Sequence, residues 1–87
     1  SHMRYYCLME MKNKIGLRIK EIRTDQNLTQ EEVAWKAEVD RTFMNHVENG
    51  KRNVSVDTLT KIICGGLEMS FKDFFYADLF NGKKRGK

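Results

Sequence analysis

Proline is absent from all 87 residues, so no position obliges a helix to break, and the pattern is one of helices joined by short connections. Cysteine is scarce. Cys7 and Cys64 lie far apart and lack the paired spacing of a zinc site or a redox motif. Cys64, next to Ile62 and Ile63, is expected to be a small buried apolar residue. Ser1-His2 ahead of Met3 reads as a cloning scar, which leaves His46 as the one native histidine. No nucleophile, base and orienting group can be assembled, and no Gly-rich phosphate loop occurs. Catalysis, a cofactor, a metal and a small-molecule substrate are therefore not expected. Nothing resembles a signal peptide or an apolar run long enough to cross a bilayer, so a cytoplasmic protein with no membrane partner is expected.

What is present is a charged fraction of 32% and a hydrophobic fraction of 40%, enough for one folded domain with a modest core. The net charge of +4 permits nucleic-acid binding without implying it. Lys83, Lys84, Arg85 and Lys87 crowd the end after Gly82, as a tail that touches phosphate or aids solubility. The expected division is a scar and N-terminal arm over 1–11, a folded domain over 12–81 and a basic tail over 82–87. The apolar segment from Met3 to Met11 has no clean period, and reads either as an arm or as an early turn of the first helix.

Thr29 to Glu48, TQEEVAWKAEVDRTFMNHVE, is the most informative stretch. Thr29 followed three residues later by Glu32 is a capping box, so a helix starts near Gln30. Val33, Ala34 and Ala37 recur at helical spacing, with Gln30, Glu31 and Lys36 on the wet side. Val39 reads as the buried residue of a three-residue turn. Asp40 has the short acceptor side chain that caps a second helix from about Arg41 to Glu48, ended by Asn49-Gly50. On that helix Met44 and Val47 share one side, with Phe43 at its margin. Thr42, Asn45 and His46 fall opposite, with Arg41 beside them. Such a face carries the donors and acceptors that read base edges in a major groove. Arg41 suits a bidentate contact to guanine, Thr42 a base edge or a thymine methyl, and Asn45 and His46 are further readers. Gln30, at the amino end of its helix, is expected to meet phosphate.

Around this pair, Ile15, Ile19 and Ile22 predict a helix from Lys12 to about Gln26, stopped at Asn27. Ser55 opens another helix, with Val56, Leu59, Ile62 and Ile63 facing the core and Gly65-Gly66 as its stop. Ser70 caps a last helix from Phe71 to about Phe80. Phe71, Phe74, Phe75 and Leu79 make one apolar stripe of it, while Tyr76 and Phe80 point away. A second stripe needs a cover, and a second copy of the chain is expected to supply it.

The segments IGLRIKEIRTDQNLTQEEVAWKAEV, VENGKRN and SVDTLTKIICGGLEMSFKDFF resemble the lambda-repressor/Cro-like, or XRE, helix-turn-helix family across Ile15 to Phe75. Within it, DRTFMNHVENGKRNVS looks most like the controller proteins of restriction-modification systems. The resemblance implies an all-α, compact five-helix domain and a transcription regulator that binds double-stranded DNA as a homodimer paired through its C-terminal helices. It also implies that Asn49, Lys51 and Arg52 grip the DNA backbone, and that Arg23 and Glu48 form a structural ion pair. Phe43 matches an aromatic that sits near DNA in some controllers; otherwise it pads the helix edge. Two departures from the family pattern are Asn27 and Glu38, where glycine is usual. Asn tolerates the left-handed conformation, whereas Glu38 would cost about 1 to 2 kcal/mol if the turn needs positive φ, unless the turn has another geometry.

A dimer also fits the task, since two recognition helices read half-sites about 34 Å apart in a pseudo-palindromic operator. The alternative is a protein-interaction module of the same fold, such as an antitoxin, that uses the Tyr76 and Phe80 face for a different protein. RNA binding is a distant third, because no stacking platform of aromatics accompanies the basic residues.

Overall fold

The computed structural model describes residues 10–81, and these contain helices and no strand. The scar, most of the N-terminal arm, Cys7 and the basic tail lie outside the described residues. Helix α1 spans Met11–Asp25, α2 Gln30–Ala37, α3 Arg41–Glu48 and α4 Val56–Thr60. A π-helical turn, Lys61–Gly66, continues α4; α5 (Phe71–Phe75) and α6 (Asp78–Asn81) follow.

Local chemistry sets most of these limits. At α2 the capping box forms in both directions, with the Glu32 amide donating to Thr29 Oγ1 at 3.0 Å and the Thr29 amide donating to Glu32 Oε1 at 2.7 Å. Ser55 and Ser70 cap α4 and α5 by accepting the amides of Thr58 and Asp73, each at 3.1 Å. Asp40 holds the extended N-cap backbone of α3, but its side chain bonds no amide of the first turn, contrary to expectation. Its negative charge still suits the positive end of the helix.

The first three helices end alike. Asn27, Glu38 and Gly50 take left-handed φ of 60°, 61° and 74°. The next residue's amide then reaches back five positions: Leu28 to the Arg23 carbonyl, Val39 to Ala34 and Lys51 to His46, at 2.9–3.0 Å. Glu38 thus accepts the turn geometry that glycine would adopt more cheaply. The left-handed closure of the turn forms, and strain is its cost.

One core holds the bundle. Ile15, Ile19 and Ile22 of α1, Val33, Ala34 and Ala37 of α2, and Met44 and Val47 of α3 pack with Leu59, Ile62, Ile63, Leu67 and Phe74. Helix α2 lies against the π-helical turn, and α3 lies against α1. The fourth helix, continued by the π-helical turn, ends at Gly66 as expected, but neither glycine closes it with a left-handed φ. A Cβ on Gly66 would sit 2.9 Å from Val33 Cγ1, so glycine there admits α2, and the chain closes two residues later at Glu68, with φ 57°. Cys64 is exposed rather than buried. Ile62, Ile63, Gly66 and Leu67 take the face turned to the core and leave Cys64 on the other side.

The expected last helix, and with it the five-helix count, is also corrected. It breaks at Tyr76 (φ −84°, ψ 82°) into α5 and α6. The carbonyls released at the break are taken by Arg18 of α1: its Nε donates to the Phe74 carbonyl at 2.6 Å, and its Nη2 to those of Asp73 at 2.9 Å and Tyr76 at 3.4 Å. A charged fork satisfying several orphan carbonyls compensates for the lost helical bonds.

Candidate nucleic-acid interface

Helix α3 is anchored on one side and open on the other. Met44 and Val47 are 0% and 1% exposed, whereas Arg41, Thr42 and Asn45 are exposed and His46 is half-buried. Its carboxyl end is fixed by charge. Arg23 Nε donates to Glu48 Oε2 at 2.6 Å and Nη2 to Oε1 at 3.1 Å, and the Glu48 side chain is 1% exposed. Arg23 also donates to the Leu28 carbonyl at 2.8 Å, so one guanidinium ties together the end of α1, the loop before α2 and the end of α3.

Gln30 joins this network from α2. Its Nε2 donates to Glu48 Oε1 at 2.9 Å, so the amide expected to meet phosphate is turned toward the protein instead. The cause is the buried carboxylate, whose remaining lone pairs need a donor. Gln30 therefore links the two helices of the motif. Gly16, which sequence reasoning missed, admits the end of α3 against α1: a Cβ there would come 2.7 Å from the Glu48 carbonyl oxygen and closer still to that of Val47. An isolated glycine inside a helical pattern was the available sign.

In the loop after α3, Asn49, Lys51 and Arg52 are exposed. Arg52 Cζ lies 5.2 Å from the centroid of the Phe43 ring, and Phe43 is half-buried against the core. Phe43 thus pads the helix edge with one face and holds a cation with the other. Asn49 Nδ2 donates to Asn45 Oδ1 at 2.6 Å across one turn of the helix surface.

The Helix-turn-helix family profile matches residues 19–64, just over half of the chain. Control protein C.MunI of Mycoplasma sp is 40% identical over 63 residues, which cover 70% of this chain and 85% of that protein. The chain belongs to the helix-turn-helix family, among the restriction-modification controller proteins. Controller structures share its fold. That of C.AhdI from Aeromonas hydrophila is 34% identical, with a TM-score of 0.69 over 74% of this chain and 96% of that one. The C.Esp1396I tetramer, solved in complex with its natural 35 base-pair operator, is 33% identical, with a TM-score of 0.75 over 85% of this chain and 96% of that one.

In this controller protein the exposed Arg41, Thr42 and Asn45 of α3 lie opposite the buried Met44 and Val47, and the C-terminal aromatics Phe71, Phe75 and Phe80 pack against the core. Tyr76 is 80% exposed. Phe80, expected to point away from the apolar stripe, instead packs on it: its ring centroid is 4.7 Å from Phe75 and 5.9 Å from Phe74. The break at Tyr76 redirects α6, so the helical wheel of an unbroken helix does not apply. Phe80 remains only half-buried. Trp35 of α2, to which the sequence reading gave no role, is 81% exposed.

Proposed function

We propose that this controller protein is a sequence-specific DNA-binding transcription regulator, without catalysis of its own, that acts in the cytoplasm as a homodimer on a pseudo-palindromic operator. One observation carries the reading: α3 presents Arg41, Thr42 and Asn45 outward while Arg23, Gln30 and Glu48 lock its far end in place. A reading helix must be rigid, because bidentate contacts tolerate little misplacement. The operator complex of C.Esp1396I supports it. No helix among the described residues is long and apolar enough to cross a membrane.

In this proposal Arg41 pairs with guanine, Thr42, Asn45 and His46 read neighbouring bases, and Asn49, Lys51 and Arg52 grip phosphate with Phe43 beneath Arg52. Tyr76 and the outer edge of Phe80 meet the second copy. Residues 12–81 are the functional domain. Arg41→Ala should remove about 1–3 kcal/mol of discrimination at one position of each half-site, with the helical spectrum unchanged. Fluorescence anisotropy on operators selected from a random duplex library measures it, and equal affinity of wild type and variant would refute the role of Arg41. Light scattering reads the dimer directly; a monomer at micromolar concentration that binds no operator would favour an interaction module instead.

A further inference from the structure

Asn45 and Asn49 are tied together twice. The Asn49 backbone amide donates to the Asn45 carbonyl at 3.1 Å, and the Asn49 side-chain amide donates to Asn45 Oδ1 at 2.6 Å. Both side chains are exposed on the outer side of α3. The spacing of four residues makes them surface neighbours, and the left-handed Gly50 that follows fixes where Asn49 ends the helix.

An asparagine with no partner is ambiguous toward a base. Its oxygen accepts and its NH2 donates, and the two together pair with N6 and N7 of adenine. In this chain one of the two lone pairs of the Asn45 oxygen is taken along the helix by Asn49, which makes the NH2 the better placed group toward a base and leaves the oxygen a single free lone pair. Closing a duplex over the pair excludes water and strengthens that hydrogen bond.

We propose that Asn49 is a specificity-determining positioning residue: by holding the carbonyl of Asn45 it biases Asn45 toward donating to a base. The inference rests on the DNA-reading function proposed above. A reader biased toward donating favours guanine (O6 and N7) or thymine (O4) over cytosine, whose N4 is itself a donor, and over adenine, whose two-bonded pairing needs the oxygen and the NH2 together.

The test is selection from a randomised operator library, scored as the ratio of the four bases at each position. Asn45→Ala first locates the position that Asn45 reads. Asn49→Asp can only accept, so Asn45 must turn its NH2 inward and its oxygen outward. The preferred base should then switch to cytosine or adenine, with a change in ratio of about five- to a hundred-fold. Asn49→Ala releases both groups, and adenine should gain. Ratios within one variant cancel the general repulsion of an aspartate from phosphate, and if Asn49→Asp binds no duplex, Asn49→Ala decides. A merely structural Asn49 would lower affinity for all four bases alike, so an unchanged ranking in the variants overturns this inference and leaves DNA reading intact. A wild-type protein that enriches no sequence overturns the DNA-reading function itself.

Discussion

The helix-turn-helix half and the C-terminal half of this domain are built by different means. From Thr29 to Gly50, starts and stops are set by neighbours in sequence: a capping box, left-handed closures at Glu38 and Gly50, and a polar face opposite Met44 and Val47. From Lys61 to Asn81, the shape depends on distant partners. Arg18 reaches across 55 to 58 positions to the carbonyls at the α5 break, Gln26 Nε2 donates to the Leu67 carbonyl at 3.0 Å, and Lys36 pairs with Glu68 at 2.8 Å. The first half is specified locally and then locked by one long-range ion pair. The second takes hydrogen bonds and an ion pair from α1, the residue after it and α2.

The lock gives the largest expected effect. Arg23→Ala leaves the Glu48 carboxylate 1% exposed in the wild-type packing and without its cation, which should destabilise the domain by about 3–5 kcal/mol. Chemical denaturation followed by circular dichroism measures it. A loss below about 1 kcal/mol would mean that Glu48 swings out to water, and the contrast between a locked and a dependent half would collapse.

Arg18→Ala probes the dependent half and should cost about 2 kcal/mol, since charged hydrogen bonds to otherwise orphaned carbonyls are lost. The loss should be local. Amide exchange should accelerate over residues 71–81 while the amides of α2 and α3 keep their protection. Arg18→Lys should rescue little, because one ammonium cannot reproduce the fork that serves Asp73, Phe74 and Tyr76. Equal acceleration throughout would show that the two halves unfold as one.

This division also explains what could be read from the chain alone. Thr29 and Glu32, Asn27, Asn49-Gly50 and the period of Ile15, Ile19 and Ile22 are local signals, and the helices they announce lie within a residue or so of their observed limits. The outward placement of Arg41, Thr42 and Asn45 follows from the same period. The break at Tyr76 has no local signal: Phe71 to Phe80 contains no proline or glycine, and the group that satisfies the break is an arginine in α1. The inward turn of Phe80 follows from that break. Gln30 is legible as the first residue of a helix, but its partner Glu48 lies 18 positions away, and nothing local points its amide to that carboxylate rather than to phosphate. The exposure of Cys64 is not legible, because flanking isoleucines give the hydrophobicity of a segment and not its phase.

A smaller effect tests the local half on its own terms. Glu38 at φ 61° carries a left-handed cost of about 1–2 kcal/mol, of which Glu38→Gly returns part, since glycine loses about 0.5–1 kcal/mol more chain entropy on folding. A net gain of about 0.5–1 kcal/mol is expected, read as a raised denaturation midpoint with an unchanged slope. A destabilised variant would show that the Glu38 side chain contributes more than its backbone costs.

The smallest effect joins the two halves through Lys36 and Glu68. A hydrogen bond from Lys36, and then the charge of its ammonium, hold the Glu68 carboxyl below its ordinary value of 4.5. With the folded pKa below the unfolded one, the pair contributes stability above pH 4.5, and that contribution is lost as the pH falls through the folded value. Because the Glu68 side chain is 67% exposed, solvent and salt screen the pair and the change should be slight. Lys36→Met should flatten this part of the stability profile below pH 4.5 and leave the neutral-pH fold unchanged. A Glu68 titration, followed by carboxyl NMR, that does not move in Lys36→Met would show that Lys36 does not hold the Glu68 carboxylate.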